Sequence, residues 1–281
     1  MGVPETLTIE PTYRVLLGEV DQFRILQVGC GGTGSALALA LGGVAYHARQ
    51  KGIRVELTLV DHDVIEERNV GRQQFTAGSA SSGGIPKCAD LALRLNCAYG
   101  LDITAWPVAY TPELGERWLA NGRQSGHTVH LLLDCVDNTA ARRAMHHTLT
   151  NHDGRLWQWS CGNERTNGQV LLGNTNHPEQ IRFDKMGLCT GLPSPYRQEP
   201  GLLEPEEAET AVSCALLAEQ EAQSLMINRL VAAVAGHLLT EMILQRQVTQ
   251  MGATFNLSPL VMQPRLVTRK AVENVSIATC D

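Results

Sequence analysis

A glycine-rich loop between a strand-like and a helix-like segment constrains the fold of this chain more than any other feature. Residues 23–28 form a short apolar run, and residues 33–49 are rich in alanine and leucine. The glycines between them are Gly29, Gly31, Gly32 and Gly34. A strand, a glycine loop and a helix in this order are typical of the first unit of a doubly wound α/β sheet. Because glycine has no side chain, the backbone N–H groups of such a loop can approach phosphate oxygens at a helix N-terminus.

Strands and helices are predicted to alternate over the first 150 residues, which favours a mainly parallel, Rossmann-like sheet. The further strands are predicted at 54–60, 103–108 and 130–134, with two more at 156–161 and 168–172 joined by a turn. The further helices are predicted at 86–98, 112–121 and 139–152, with a loop at 79–84. We therefore expect an α/β fold whose sheet ends hold a ligand on one rim.

The second half of the chain differs in composition and predicts a different organisation. Residues 174–213 contain several prolines and an acidic run, which predicts a long crossover segment. A long helix is predicted from about 214 to 247, and a small β hairpin at 254–267. We divide the chain into a nucleotide-binding core (1–173), the crossover segment (174–213), and a helix and hairpin that complete the same domain (214–281).

The bulk composition excludes several classes of function. The chain has 281 residues, 43% of them hydrophobic, and a formal net charge of −6, which argues against broad binding to nucleic acid or an anionic membrane. No signal-peptide pattern opens the sequence, so we expect a cytoplasmic protein. None of the eight cysteines forms a Cys-x-x-Cys pair, and most are expected to be reduced, buried thiols.

Polar residues after the predicted strands form a candidate phosphate site. Asp61 ends the second strand, where a carboxylate can accept hydrogen bonds from ribose hydroxyls. Asn69 and Arg72 would face the same way if their segment were helical, and arginine offers a fork for phosphate oxygens. Lys87 adds a positive charge at the start of a helix. Asp137 follows the fourth strand, on the same rim, where it could hold Mg²⁺ against phosphates.

Simpler roles remain open for each of these residues. Asp61 could merely cap a helix, and Asp137 or Asn138 could cap the helix from Thr139. Asn69, Arg72 and Lys87 could each be a solvated surface residue. The glycine loop together with Asp61 would also serve a nicotinamide-dependent dehydrogenase, and a third possibility is a non-catalytic scaffold that binds nucleotide. The order of Asp61, Asn69, Arg72 and Lys87 favours a triphosphate that is attacked, since a dehydrogenase does not need the last three.

The combined motifs resemble those of the ThiF/MoeB/HesA superfamily, adenylating enzymes related to ubiquitin-activating enzymes. The resemblance rests on Gly-x-Gly-Gly-x-Gly, Asp61-x-Asp63, Asn69-x-x-Arg72-Gln73, Lys87 and Asp134-x-x-Asp137-Asn138, and spans roughly residues 20–247. In the second half, Ser213-Cys214-Ala215, Gln223-Ser224, Ile227-Asn228 and Thr254-Phe255-Asn256-Leu257 are similar to the ThiF-like proteins of PRTRC gene systems.

The resemblance implies ATP-dependent adenylation of the C-terminal carboxylate of a small ubiquitin-like (β-grasp) protein. It implies ribose binding by Asp61, phosphate binding by Asn69, Arg72 and Lys87, and Mg²⁺ binding by Asp137. A thioester on Cys214 and transfer to a protein resembling a conjugating enzyme could follow, with Cys189 as the rival nucleophile. The alternative function is adenylation of a sulfur-carrier protein, in place of a protein that is conjugated to other proteins.

Two further expectations concern metal and assembly. Many members of the superfamily bind structural zinc through paired Cys-x-x-Cys motifs, and since this chain has no such motif we expect no structural zinc. The resemblance also implies a homodimer. Arg14 is the candidate for an arginine supplied across that interface, although its spacing to Gly29 is shorter than is usual in the superfamily.

Overall fold

The computed structural model describes residues 10–121, 127–164, 166–204 and 225–277. The strands are β1 (Val15–Leu16), β2 (Gln22–Val28), β3 (Arg54–Val60), β4 (Thr104–Trp106), β5 (Thr128–Asp134), β6 (Leu156–Asn163), β7 (Asn167–Gly173), β8 (Gln247–Val248), β9 (Gln250–Leu257) and β10 (Leu260–Leu266). The α-helices are α1 (Gly32–Gln50), α2 (Ala77–Ser81), α3 (Lys87–Tyr99), α4 (Pro112–Ala120), α5 (Thr139–Asn151), α6 (Pro195–Gln198), α7 (Leu225–Gln245) and α8 (Arg269–Ile277). Short 3₁₀ turns cover Glu67–Asn69, Pro178–Gln180 and Pro200–Leu203.

Eight strands form one twisted sheet in the order β10-β9-β7-β6-β5-β2-β3-β4. The strands from β6 to β4 are parallel, whereas β7, β9 and β10 are added in antiparallel pairing. Strands β1 and β8 pair in a separate two-stranded sheet. The expected mainly parallel, doubly wound α/β fold is confirmed. Because parallel strands end on the same rim, this topology brings the ends of β2, β3, β5 and β6 together.

Strand β2 lies at the centre of the parallel half and is buried along its whole length. Its side chains alternate between two hydrophobic cores, one on each face of the sheet. Phe23 and Ile25 belong to the larger core. Leu26 and Val28 belong to a smaller core beneath α4 and α5. A continuous apolar run is what a strand covered on both faces requires, which is why the sequence pattern located β2 correctly.

Helix α1 is packed between α3 and α7 on the larger core. The contact with α3 is close, since a Cβ on Gly42 would lie 2.7 Å from a methyl carbon of Leu95. On the other side, a Cβ on Gly236 would lie 3.3 Å from the Cβ of Ala40 in α1. Residues 226–245 of α7 are long and apolar enough to cross a membrane by length and composition, but half of this segment is buried inside the fold. Helix α7 is therefore a core helix in this structure.

Several segments differ from the sequence prediction. The predicted loop at 79–84 partly belongs to α2, because Thr76 caps that helix by accepting a hydrogen bond from Ser79 N at 3.0 Å. The predicted hairpin begins earlier, at residue 250. The helix predicted from about 214 is described only from residue 225 onward, so residues 214–224 lie outside the described part. The short elements β1, β8, α6 and α8 were not predicted, since two to nine residues carry little periodic signal.

Candidate functional site

The glycine loop turns sharply at the end of β2. Gly29 N donates to Val60 O at 2.9 Å, and Gly29 has a φ of +94°, in the left-handed region that favours glycine. A Cβ on Gly29 would lie 2.5 Å from the carbonyl oxygen of Cys135, and a Cβ on Gly34 would lie 2.0 Å from the carbonyl oxygen of Gly29. These two glycines are therefore required by backbone packing.

A buried glutamine beneath the loop holds it in place. Gln27, which is fully buried in β2, donates from Nε2 to Gly29 O at 3.1 Å and to Gly34 O at 2.8 Å. The two carbonyl groups lie on opposite sides of the turn, so one amide fixes its width. Sequence analysis missed this residue, although a glutamine inside an apolar strand signals a buried polar partner.

The start of α1 is open for an anion. Gly31 occupies the N-cap position, and no side chain caps the helix. A Cβ on Gly31 would meet no described atom within 4 Å. The first backbone N–H groups of an α-helix have no partner within the helix, and they carry the positive end of its dipole. The loop therefore offers donors and free space to a phosphate group.

Asp61 lies beside this opening at the end of β3. Its Oδ2 accepts a hydrogen bond from Cys30 N at 2.6 Å, and its Oδ1 accepts one from Asp63 N at 2.8 Å. Burial raises the pKa of the Asp61 carboxyl group, and the two backbone hydrogen bonds oppose that rise. The carboxylate is thus fixed to the glycine loop, and ribose binding by its remaining lone pairs stays a prediction.

Lys87 forms an ion pair at the first residue of α3. Its Nζ lies 2.8 Å from Oδ2 of Asp63, with the lysine side chain 8% exposed and the aspartate side chain 53% exposed. The hydrogen bond from Lys87 lowers the pKa of the Asp63 carboxyl group. Because Asp63 is half exposed, Lys87 can exchange this partner for a phosphate at modest cost.

The predicted helical relation between Asn69 and Arg72 is wrong. The 3₁₀ turn ends at Asn69, Val70 is extended, and Gly71 has a φ of +83°. Asn69 is buried, and its Oδ1 accepts a hydrogen bond from Glu66 N at 2.9 Å, so part of its role is to close the turn. Arg72 is exposed and forms no hydrogen bond or ion pair with any residue that the structure describes. Its guanidinium group is therefore available to a ligand.

The loop after β5 lies against the glycine loop through Cys135. Asp137 in this loop is exposed, while Asn138 caps α5 by accepting a hydrogen bond from Ala141 N at 2.9 Å. The capping alternative thus holds for Asn138 rather than for Asp137. The Asp137 carboxylate accepts no hydrogen bond within the described ranges, which leaves its oxygens free for a cation or a ligand.

The first acidic residue of that motif, Asp134, is buried and structural. Its Oδ2 accepts hydrogen bonds from Ser160 Oγ at 3.3 Å and from the Tyr196 hydroxyl at 3.4 Å, and lies 3.6 Å from Nε of Arg142. Burial raises the pKa of the Asp134 carboxyl group, and Arg142 opposes the rise. Since Tyr196 belongs to α6, this cluster anchors the crossover segment over the end of β5.

A cavity of about 690 Å³ opens between the 3₁₀ turn at 200–203 and strands β6, β7, β9 and β10. Its lining is rich in side-chain amides, namely Asn163, Asn167, Gln169, Asn256 and Gln263. Asn163 also contacts the glycine loop, since the Thr33 hydroxyl lies 3.0 Å from its Oδ1. Asn163 therefore belongs to the cavity lining and also contacts the first turn of α1. Sequence analysis did not identify this cavity, which arises from segments distant in sequence.

The thiols around the loop are unsuited to nucleophilic attack. Burial raises the pKa of Cys30 and of Cys88, and a hydrogen bond with the Cys161 thiol, followed by burial, raises that of Cys135. Thiols with raised pKa values stay protonated at neutral pH and react slowly. The same holds for Cys189, the predicted rival nucleophile, because burial raises its pKa to about 11. Cys214 lies outside the described residues.

The described structure thus places most of the predicted nucleotide-site residues around one rim. The glycine loop, Asp61 and Lys87 are linked by short contacts, and the loop carrying Asp137 abuts Gly29. Arg72 is exposed in a segment joined to the start of α1, since Gln74 N donates to Ser35 Oγ at 3.0 Å. A cluster of ligand atoms compatible with a metal ion, within the part of the chain that is described, is formed by Asp61, His62 and Asp63.

Comparison with known proteins gives a family match and two partial relatives. The model of the ThiF family matches residues 14–271. The mouse "Adenylyltransferase and sulfurtransferase MOCS3" is 37% identical over 121 residues, covering 42% of this chain and 22% of that protein. The Yarrowia lipolytica "Adenylyltransferase and sulfurtransferase UBA4" is 30% identical over 153 residues, covering 54% of this chain and 34% of that protein. The matched segments thus span only about a fifth to a third of these relatives.

Solved structures share the fold at low sequence identity. PaaA has a TM-score of 0.55 at 14% identity, covering 89% of this chain and 75% of PaaA. The Escherichia coli MccB structure with ATP has a TM-score of 0.53 at 12% identity, covering 90% of this chain and 66% of MccB. At such identities the likeness establishes the fold alone. The match of the family model over nearly the whole chain shows that this protein belongs to the ThiF family.

Proposed function

We propose that this chain adenylates the C-terminal carboxylate of a small ubiquitin-like protein at the expense of ATP. The observation that carries the proposal is the uncapped start of α1, with free space over Gly31, next to an amide-lined cavity that shares Asn163 with the loop. The start of α1 suits the phosphates of a nucleotide. The cavity suits an extended peptide, whose backbone groups can pair with side-chain amides. The adenylyltransferase names of MOCS3 and UBA4 support the same chemistry.

The reaction forms one bond and breaks one. An oxygen of the substrate carboxylate attacks the α-phosphorus of ATP, and the electron pair of the bond to the β-phosphate oxygen leaves with pyrophosphate. The carboxylate is ionised at neutral pH, so no general base is needed. Rate enhancement must come from alignment and from donors to the developing charge. The backbone N–H groups at Gly31 and Gly32, Lys87 and Arg72 supply such donors.

Asp137 fits a role in binding Mg²⁺. Magnesium prefers carboxylate oxygens, and the Asp137 carboxylate is exposed on the rim with no competing partner among the described residues. A bound Mg²⁺ would neutralise charge on the phosphates and on the leaving pyrophosphate. Asp61 would accept hydrogen bonds from the ribose and Asn69 would donate to a phosphate from its amide nitrogen.

Pyrophosphate exchange tests this proposal. The protein is mixed with Mg-ATP, labelled pyrophosphate and the ubiquitin-like protein encoded nearby, with a substrate that lacks its last two residues as the blank. We expect exchange only with the intact C-terminus, and loss of exchange in Arg72→Ala and Asp137→Asn. Arg155→Ala and Asp102→Asn are matched controls, because both residues are exposed and precede strands, on the opposite rim of the sheet. Absence of exchange with an intact substrate would refute the proposal.

A second candidate function differs in what happens to the acyl-adenylate after it forms. The relatives MOCS3 and UBA4 are named as sulfurtransferases as well, which favours a sulfur-carrier substrate for the same adenylation step. A thioester on Cys214, followed by transfer to a conjugating enzyme, would instead appear as a thiol-sensitive adduct on a non-reducing gel. Loss of that adduct in Cys214→Ala but not in Cys189→Ala supports conjugation. Formation of a thiocarboxylate on the substrate in the presence of a sulfur donor supports sulfur transfer.

The oligomeric state, the cellular location and the two alternative classes of function can each be tested separately. We propose a homodimer in the cytoplasm, and light scattering that shows only monomer would contradict the dimer. Tight NADH binding without ATP binding would favour the dehydrogenase. ATP binding without turnover of any carboxylate would favour the scaffold.

A further inference from the structure

Three polar side chains from distant parts of the chain meet beside the glycine loop. Thr33 lies in the first turn of α1, Asn163 ends β6, and Asn228 lies in α7. The buried Thr33 hydroxyl is 3.0 Å from Oδ1 of each asparagine, which makes a three-centre hydrogen bond. Asn163 is 130 positions and Asn228 is 195 positions after Thr33 in the sequence, so only the complete fold brings the three residues together.

The amide nitrogen of Asn228 covers the first residue of α1. A Cβ on Gly32 would lie 2.5 Å from Nδ2 of Asn228, so any side chain at position 32 would displace this amide. No hydrogen bond occupies this amide nitrogen within residues 10–121, 127–164, 166–204 and 225–277. It therefore adds two N–H donors to the uncapped start of a helix, the place where phosphate oxygens are expected.

Asn163 extends this group to the cavity wall. Its side chain lines the cavity, and its own Nδ2 donates to Glu164 O at 3.2 Å, which fixes the amide with Oδ1 toward Thr33. The group Thr33, Asn163 and Asn228 thus spans the boundary between the cavity and the helix start. A carboxylate that enters through the cavity and reaches the α-phosphate must cross this boundary.

We propose that Asn228 contacts the reacting groups, and that its side-chain N–H groups donate to the oxygens of the substrate carboxylate as this group meets the α-phosphate. Thr33 and Asn163 are positioning residues that hold the Asn228 amide in place. Two anions must approach each other in this step, and donors fixed at their meeting point reduce the repulsion. This inference rests on the adenylation proposed above and names a residue that acts in it.

The experiment uses a stable mimic of the acyl-adenylate, N-acetylglycyl-sulfamoyl-adenosine, with AMP as the reference ligand. Binding of both ligands is measured by calorimetry for the full chain and for Asn228→Ala and Asn228→Asp. We expect the mimic to bind about 10- to 100-fold more weakly to Asn228→Ala, since a hydrogen bond to a charged group is lost. AMP affinity should change less than about threefold, because AMP lacks the acyl group. Asn228→Asp should lose most, as it replaces a donor by an anion of the same shape.

The controls separate this role from a structural one. Gln50→Ala removes an exposed amide from the opposite end of α1 and should bind the mimic like the unaltered chain. Thr33→Val should weaken binding of the mimic, whereas Thr33→Ser keeps the hydroxyl and should restore it at an unchanged melting temperature.

The outcomes distinguish the two proposals. If the unaltered chain binds the mimic and Asn228→Ala binds it equally well, this inference is wrong and the adenylation stands. Equal weakening of AMP and of the mimic would show that Asn228 only shapes the nucleotide site, which also contradicts the inference. If the unaltered chain binds neither ligand, the adenylation proposal falls, and the inference falls with it.

Discussion

Gly31 and Gly34 have the same residue type, three positions apart, but the structure gives them opposite reasons to be glycine. A Cβ on Gly34 would lie 2.0 Å from the carbonyl oxygen of Gly29, whereas a Cβ on Gly31 would meet no described atom within 4 Å. Gly34→Ala must therefore push backbone apart by more than about 1 Å, and overpacking of this kind costs about 1–3 kcal/mol or more. Gly31 has a φ of −73° and a ψ of −144°, outside the helical and extended regions that alanine prefers, so Gly31→Ala should cost about 1–2 kcal/mol through backbone strain without any side-chain clash.

The two variants should separate folding from nucleotide binding. In a chain of this size about 1 kcal/mol corresponds to roughly 2 °C in melting temperature, so Gly31→Ala should melt about 2–4 °C lower than the unaltered chain and Gly34→Ala lower still. Gly31→Ala should nevertheless weaken binding of AMPCPP at least tenfold, because its methyl group occupies the approach of a phosphate. Scanning calorimetry and titration calorimetry measure the two effects. Unchanged AMPCPP affinity in Gly31→Ala would refute the placement of the phosphates.

Three further predictions concern charge, pH and thiol access. Lys87→Met should weaken ATP binding about tenfold or more in titration calorimetry, with less than about 1 kcal/mol lost in stability because the exposed Asp63 stays hydrated. Burial and then Arg24 lower the pKa of His130 to about 4, so the unfolded chain binds more protons between pH 4 and 6.5, and stability should fall as the pH drops through that window. The loss is at most about 3 kcal/mol before solvent screening of this partly exposed ring, and urea titrations of His130→Gln should show a flatter pH profile. Brief treatment with N-ethylmaleimide, read by peptide mass spectrometry, should modify Cys97, which is exposed, and spare the buried Cys30; modification of Cys30 in folded protein would contradict its burial.

Periodicity was sufficient to predict the parallel half of the sheet. Strand β3 ends at Val60, as the alternation of residues 54–60 indicated, and the boundaries of α5 agree to within one residue. The apolar side of each of these elements follows its helical or strand period, so the sequence pattern indicates which side chains pack in the core. The short elements were missed for the opposite reason. Helix α6, for example, spans Pro195–Gln198 and owes its position to Tyr196, which reaches across to Asp134.

The candidate site was only partly predictable because some of its geometry is set by long-range contacts. The glycine loop and Asp61 follow one another along a single strand–turn–helix–strand unit, so local reasoning placed them correctly. The relation of Asn69 to Arg72 failed because Gly71 turns the backbone between them. The contact between Thr33 and Asn228 spans 195 residues, and no pattern in either segment indicates it.

The packing of α7 against α1 has a consequence for how this protein comes into being on the ribosome. Leu37 and Leu41 of α1 are fully covered in the described structure, and α7 lies directly along that helix. Until residues 225–245 have emerged from the ribosome, the apolar side of α1 that α7 covers is therefore exposed to solvent, chaperones and proteases. Ligand binding by the glycine loop would then report completed translation of the helix encoded some 190 residues later, which limited proteolysis of stalled chains can measure.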